Sequence, residues 1–127
     1  MLTLTSLTLL TLLASASTPD VHGHRGARAV FPENTLPAFE HALQSGADVL
    51  ELDVVATQDD QLLIHHDLHV DAARCQGRTP AAQQWLDDKR AVRRLTRAQL
   101  KDVHCGDKAH PQFPKQTRVK QLTPPTL

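Results

Sequence analysis

Apolar residues change their spacing several times along the chain, and each change marks an element. Residues 21–24 read as a short strand that breaks at Gly26. A helix is predicted over residues 36–45. Asn34 or Thr35 can cap it, Pro37 is tolerated in its first turn, Leu36, Phe39 and Leu43 recur on one face, and Gly46 supplies the stop. Residues 47–57, ADVLELDVVAT, are dense in Val and Leu and predict a buried strand. After a turn at Gln58-Asp59-Asp60, QLLIHHD predicts another. This layout, βα followed by β-turn-β, is α/β in class. From Asp71 the pattern weakens into a polar, helical and loop-rich tail. Within it Thr96-Arg97-Ala98-Gln99 reads as a capping box opening a short helix, with Leu100 and Val103 on one side. The mixed charge run DDKRAVRR at 87–94 predicts a solvated helix face, and residues 109–127, which hold four of the eight prolines, predict extended loop. No internal repeat is evident.

The first sixteen residues carry no charged side chain and end in Ala14-Ser15-Ala16, a small-x-small pattern of the kind export peptidases cut after. Residues 1–16 therefore read as a secretory signal, although no Lys or Arg precedes Arg25, and residues 17–127 as a domain that is secreted or periplasmic. A membrane anchor is the rival reading. A bilayer span needs roughly 18 to 20 apolar residues, and this run is shorter and broken by Thr3, Thr5, Thr8 and Thr11, so no stable membrane span is expected. In an oxidising compartment Cys75 and Cys105 are most simply one disulfide; without export, two separate buried thiols are the alternative. Fourteen basic and fourteen acidic side chains cancel, so no general field draws the chain to nucleic acid. Three Phe, one Trp and no Tyr leave little for base-stacking platforms.

The chemistry concentrates in three segments. VHGHRGARAVFPENTL places His24 and Arg25 at the end of the first strand, with Glu33 and Asn34 beyond. In ELDV, Glu51 and Asp53 stand two apart on a strand and so share a face. Such a pair implies a bound cation, a basic partner or a raised pKa, or else a salt-bridged pair at an exposed strand end. If a cation, hard oxygen donors favour Mg²⁺ or Ca²⁺. A two-residue hairpin turn at Asp59-Asp60 would pair Asp53 with His66 and Glu51 with Leu68; a one-residue slip would bring His65 there and turn His66 away. Asp67 can orient an imidazole, pair with a cation, or simply lead into a loop. Two histidines that divide acid and base roles, with an arginine and a divalent cation to stabilise charge on a phosphoryl group, are the parts that phosphodiester cleavage needs.

Taken in order, HRGARAVFPENTLPAFEHALQSGADVLELDVVATQDDQLLIHHD resembles the amino-terminal signature of the glycerophosphodiester phosphodiesterases. HRG, PENT, Gly-Ala-Asp, E-x-D, T-x-D and a terminal HD agree in type and spacing from His24 to Asp67. The tail is similar more loosely, through RLTRAQLKDV and the closing PPTL. The resemblance implies a TIM-type (β/α) barrel with its site at the carboxyl ends of the strands. It implies His24 and His66 as the acid–base pair, Arg25 as a phosphate contact, Glu33 and Asn34 as site-lining residues, and Glu51 and Asp53 as ligands of Mg²⁺ or Ca²⁺. The implied reaction is hydrolysis of a small-molecule glycerophosphodiester to glycerol 3-phosphate and an alcohol.

Length sets a limit on that expectation. A barrel of this kind takes about 250 residues, so these 127 are expected to form only its amino-terminal portion, without the family's later acidic ligand. Alone they would leave a sheet edge and part of a core open, and would be poorly stable and inactive. Two rivals remain: a sphingomyelinase-D-like or phosphoinositide-specific phospholipase of the same architecture, and a remnant without catalysis.

Overall fold

The computed structural model describes residues 18–127, so the leader expected over residues 1–16 lies outside the described residues. A short strand, β1 (His22–His24), leads through a tight loop to helix α1 (Leu36–Gln44), which returns the chain to β2 (Val49–Glu51). β1 and β2 pair in parallel, His22 opposite Val49 and His24 opposite Glu51, so the carboxyl ends of both strands lie side by side. The hairpin β3 (Val54–Ala56) and β4 (Leu62–Ile64) follows, then β5 (Gln76–Gly77), α2 (Pro80–Asp87), a 3₁₀ turn at Val92–Arg94, α3 (Arg97–Leu100) and β6 (Val103–His104). β5 and β6 are antiparallel. Among the described residues the strands form three two-stranded sheets rather than a closed barrel.

Several expectations change here. The strand expected over residues 47–57 is two strands, interrupted at Leu52-Asp53, where the chain passes from the parallel pair to the hairpin. The helix α1 buries Ala38, Phe39 and Ala42, while Leu36 and Leu43 face outward at 65% and 53% exposure. Close approach explains the choice of alanines. A Cβ on Gly23 would stand 2.9 Å from the Cβ of Ala42, and one on Gly26, at φ +76°, would stand 2.8 Å from the carbonyl oxygen of Ala38. Only small residues on both sides let helix and loop meet at that range.

The hairpin register is also one residue from the expected one. Val54 pairs with Ile64 and Ala56 with Leu62, and the His65 N–H donates to the Asp53 carbonyl at 3.0 Å. Asp60, at φ +57°, adds a third residue to the turn. Thr57 is fully buried, and its hydroxyl donates to Asp59 at 2.6 Å while accepting from the Gln61 N–H at 2.9 Å. The T-x-D signature thus builds this turn, and Asp59 also caps the start of α3 through the Arg97 N–H at 2.9 Å.

The main core lies in the second half of the chain: Leu63, Val70, Cys75, Ala82, Leu86, Val92, Leu95, Leu100 and Val103. Four of these leucines are at most 1% exposed, and each contributes roughly 1.5 to 3 kcal/mol by leaving water. The run at 87–94 is not one helix face. It ends α2, turns at Lys89 with φ +48°, and buries Val92. Thr96 and Gln99 form the expected capping box, and Cys75 is bonded to Cys105. Residues 109–127 hold no named helix or strand, and their end returns to β4, where the Ile64 N–H donates to the Pro125 carbonyl at 2.8 Å.

Candidate active site

The loop after β1 turns sharply because Arg25 and Gly26 both adopt positive φ, at 56° and 76°. A non-glycine residue there is uncommon, and the surrounding contacts over-determine it. The Arg25 N–H donates to Glu51 Oε2 at 2.9 Å, and its carbonyl accepts from the Asn34 N–H at 3.0 Å. The guanidinium, 13% exposed, donates from Nη1 to Glu33 Oε1 at 3.0 Å and places Nε 3.2 Å from Asp53 Oδ2. His24 Nε2 stands 3.9 Å from Glu51 Oε2. One arginine therefore gathers Glu33, Glu51 and Asp53 around the carboxyl end of β1.

Asn34 is buried and, at φ +57°, makes no cap. Thr35 is the helix N-cap residue, and the Asn34 carboxamide instead clasps Asp53: Nδ2 donates to Oδ2 at 3.0 Å and Oδ1 accepts from the Asp53 N–H at 3.4 Å. Asn34 of the PENT sequence thus holds Asp53, at the same Oδ2 that Arg25 Nε faces, while Glu33 holds Arg25.

The two HD-segment histidines divide sharply. His65 is 8% exposed, its Nε2–H donates to the His69 carbonyl at 3.2 Å, and burial holds its pKa below the ordinary imidazole value. His66 is exposed, with Nδ1 2.7 Å from Asp67 Oδ1. It does not sit against Glu51 or Asp53 as the hairpin pairing would have had it, because β4 ends at Ile64 and the chain leaves the ladder before His66. Instead it opens on a cleft of about 450 Å³ shared with Arg25, Arg28, Asp67, Arg74 and His110. The slipped register thus buries His65 and still presents His66.

Two further residues had no signal of their own in the sequence. Arg74 lies in the weakly patterned stretch after Asp71, and contacts Asp71, Asp67 and Glu33. His110 Nε2 stands 3.6 Å from Glu33 Oε2, and burial keeps its pKa low despite the Glu33 charge. Although burial pushes the Asp67 carboxyl up, the His66 hydrogen bond and the Arg74 charge outweigh it and hold the group below the usual carboxylate range.

Glu51 and Asp53 offer the donors a hard divalent cation uses, and the donor set fits one in part. Each commits its Oε2 or Oδ2 to neighbours while remaining partly exposed, at 40% and 26%. No group of three ligating side chains occurs among the described residues, so further donors would have to come from water, substrate or other chain.

The model of the glycerophosphoryl diester phosphodiesterase family matches residues 24–125. A glycerophosphodiester phosphodiesterase of Bacillus altitudinis is 55% identical over 47 residues, which are 37% of this chain and 19% of that one. Among solved structures, a Silicibacter pomeroyi protein assigned as a glycerophosphoryl diester phosphodiesterase superposes with TM-score 0.75 at 31% identity, covering 87% of this chain and 38% of its own. An Oleispira antarctica phosphodiesterase solved with the product sn-glycerol-3-phosphate gives TM-score 0.61 at 27% identity, covering 86% and 37%. This chain therefore spans less than two-fifths of the length of each of these relatives. With the family match running from His24 almost to the carboxyl end, and with the site signature gathered around Arg25, the chain belongs to the glycerophosphoryl diester phosphodiesterase family and folds as part of its (β/α) barrel domain.

Proposed function

We propose that the protein carrying this chain hydrolyses glycerophosphodiesters to sn-glycerol 3-phosphate and an alcohol, with Mg²⁺ or Ca²⁺ held in part by Glu51 and Asp53. The observation that carries the reading is the convergence of Glu33, Glu51 and Asp53 on Arg25, with His24 beside Glu51 and His66 in the cleft that Arg25 lines. The relative solved with sn-glycerol-3-phosphate supports the substrate class.

Arg25 is already held by carboxylates, so its guanidinium is fixed in place to meet a phosphoryl oxygen. Asn34 holds Asp53 in orientation. One histidine of the pair His24 and His66 takes the proton of the neighbouring glycerol hydroxyl as that oxygen attacks phosphorus, and the other gives a proton to the departing alcohol oxygen. Water then opens the cyclic phosphate by the reverse proton transfers. A bound divalent cation supplies neutralisation of the phosphoryl charge. Export to a secreted or periplasmic site belongs to the same proposal; the uncharged leader and the Cys75–Cys105 bond support it.

The test is release of glycerol 3-phosphate from glycerophosphocholine by the protein carrying this chain, with each metal and after chelation. His24→Ala and His66→Ala should each lower turnover by at least about a hundredfold. Cleavage of sphingomyelin in preference to glycerophosphocholine would favour the sphingomyelinase-D-like rival, and no metal-dependent turnover of either would favour the remnant.

A further inference from the structure

Arg74 lines the same cleft, 15% exposed, with every nitrogen of its guanidinium engaged. Nε donates to Asp71 Oδ2 at 2.8 Å, Nη1 to Glu33 Oε1 and Nη2 to Asp67 Oδ2. Its acceptors belong to three parts of the site. Glu33 Oε1 is the same oxygen that receives Arg25 Nη1, and Asp67 carries on Oδ1 the bond to His66 Nδ1. Each guanidinium nitrogen thus carries a carboxylate bond, and three of the five N–H donors are spent on the cleft wall rather than held for a phosphate. Its reach is instead toward the groups that hold the two functional side chains Arg25 and His66.

The segment that carries Arg74 is itself anchored. The next residue, Cys75, is 1% exposed and bonded to Cys105. The Cys75 N–H donates to the Asp71 carbonyl at 2.8 Å, and Lys108 Nζ donates to the Ala72 carbonyl at 2.7 Å. We infer that Arg74 is a positioning residue: tethered by the Cys75–Cys105 disulfide, it locks Asp67 so that His66 keeps its proton on Nδ1 and turns Nε2 to the cleft, and it braces Glu33 behind Arg25. This inference rests on the proposed role of His66. The logic is that of a carboxylate orienting an imidazole, with the carboxylate in turn held by a planar fork. An ionised Asp67 can only accept, so the Nδ1–H tautomer follows from the 2.7 Å bond. With Arg74 gone, Glu33, Asp67 and Asp71 would repel one another, and Asp67 would be free to rotate away from the ring.

The experiment is ¹⁵N–¹H correlation of the His66 ring in the 127-residue chain at alkaline pH, where imidazoles are neutral, with Trp85 indole and core methyl signals as the record of folding. The native chain should show a single Nδ1–H tautomer at His66. Arg74→Gln should lose it in favour of a mixture dominated by Nε2–H. Arg74→Lys, which keeps the charge but not the fork, should fall between. Reduction of the disulfide with Arg74 intact should move His66 the same way. A single Nδ1–H tautomer persisting in folded Arg74→Gln overturns the inference. Should that variant fail to fold, an unchanged tautomer in Arg74→Lys overturns it instead. Glycerol 3-phosphate release by the protein carrying this chain is a separate readout: tautomer loss on Arg74→Gln together with no turnover by that protein would keep the positioning role and remove the proposed function.

Discussion

At Asp53, in the crossing from β2 to β3, one carboxylate answers two neighbours, the Asn34 carboxamide and the Arg25 guanidinium. Replacing it with Asn removes the charge and keeps the shape. Calorimetry should then show Mg²⁺ or Ca²⁺ binding that weakens sharply in Asp53→Asn, and unchanged affinity would remove the metal assignment. His65 gives a second test at this scale, through pH. Burial chiefly holds its pKa below 6.5, so the unfolded chain binds a proton that the folded chain refuses. Its stability contribution is complete above about pH 6.5 and is lost as pH falls from there toward the lower folded-state value, with His110 adding in the same sense. Chemical denaturation across that range should show a weaker fall in His65→Gln, whose amide can still donate to the His69 carbonyl.

Elements decide how closely these residues meet. The loop after β1 and the helix α1 touch through Gly26 and Ala38, and a methyl at Gly26 would also impose a side chain on backbone at φ +76°. Gly26→Ala should therefore cost roughly 2 kcal/mol or more, seen as a lower urea midpoint with an unchanged slope. Turnover should fall beyond that loss, since Arg25 is the adjacent residue. The HRG and PENT motifs were legible as chemistry because polar residues crowded the end of an apolar segment. The alanine face of α1 was not legible. Leu36, Phe39 and Leu43 make the stronger apolar stripe, and only the approach of a glycine loop makes Ala38 and Ala42 the buried side.

Over the whole described chain, stability is unevenly shared. The nine-residue core and the disulfide lie in the second half of the chain and its hairpin, whereas β1 and β2 have no fully buried residue. Hydrogen exchange should show strong protection from Leu63 to Val103 and faster exchange in β1 and β2. The bond from Cys75 to Cys105 spans a separation of 30 residues, and the chain-entropy model values it at roughly 3 to 4 kcal/mol. Cys75→Ser/Cys105→Ser should lower the unfolding free energy by about that amount. A change below about 1 kcal/mol would mean that the core holds this half together without the bond.

What the sequence by itself determined is local and chemical. It set the α/β order and the capping box at Thr96, and it brought His24, Arg25, Glu33, Asn34, Glu51, Asp53 and His66 into a recognisable order. Chain neighbours and short-range periodicity are enough to specify those features. Tertiary structure decided the rest. A third turn residue shifted the hairpin register, and the chain's exit from the ladder after Ile64 separated buried His65 from exposed His66. It also placed Arg74 against carboxylates 3, 7 and 41 positions away. An ion pair across that range depends on where a disulfide-tethered turn docks, and no periodicity in the chain records it.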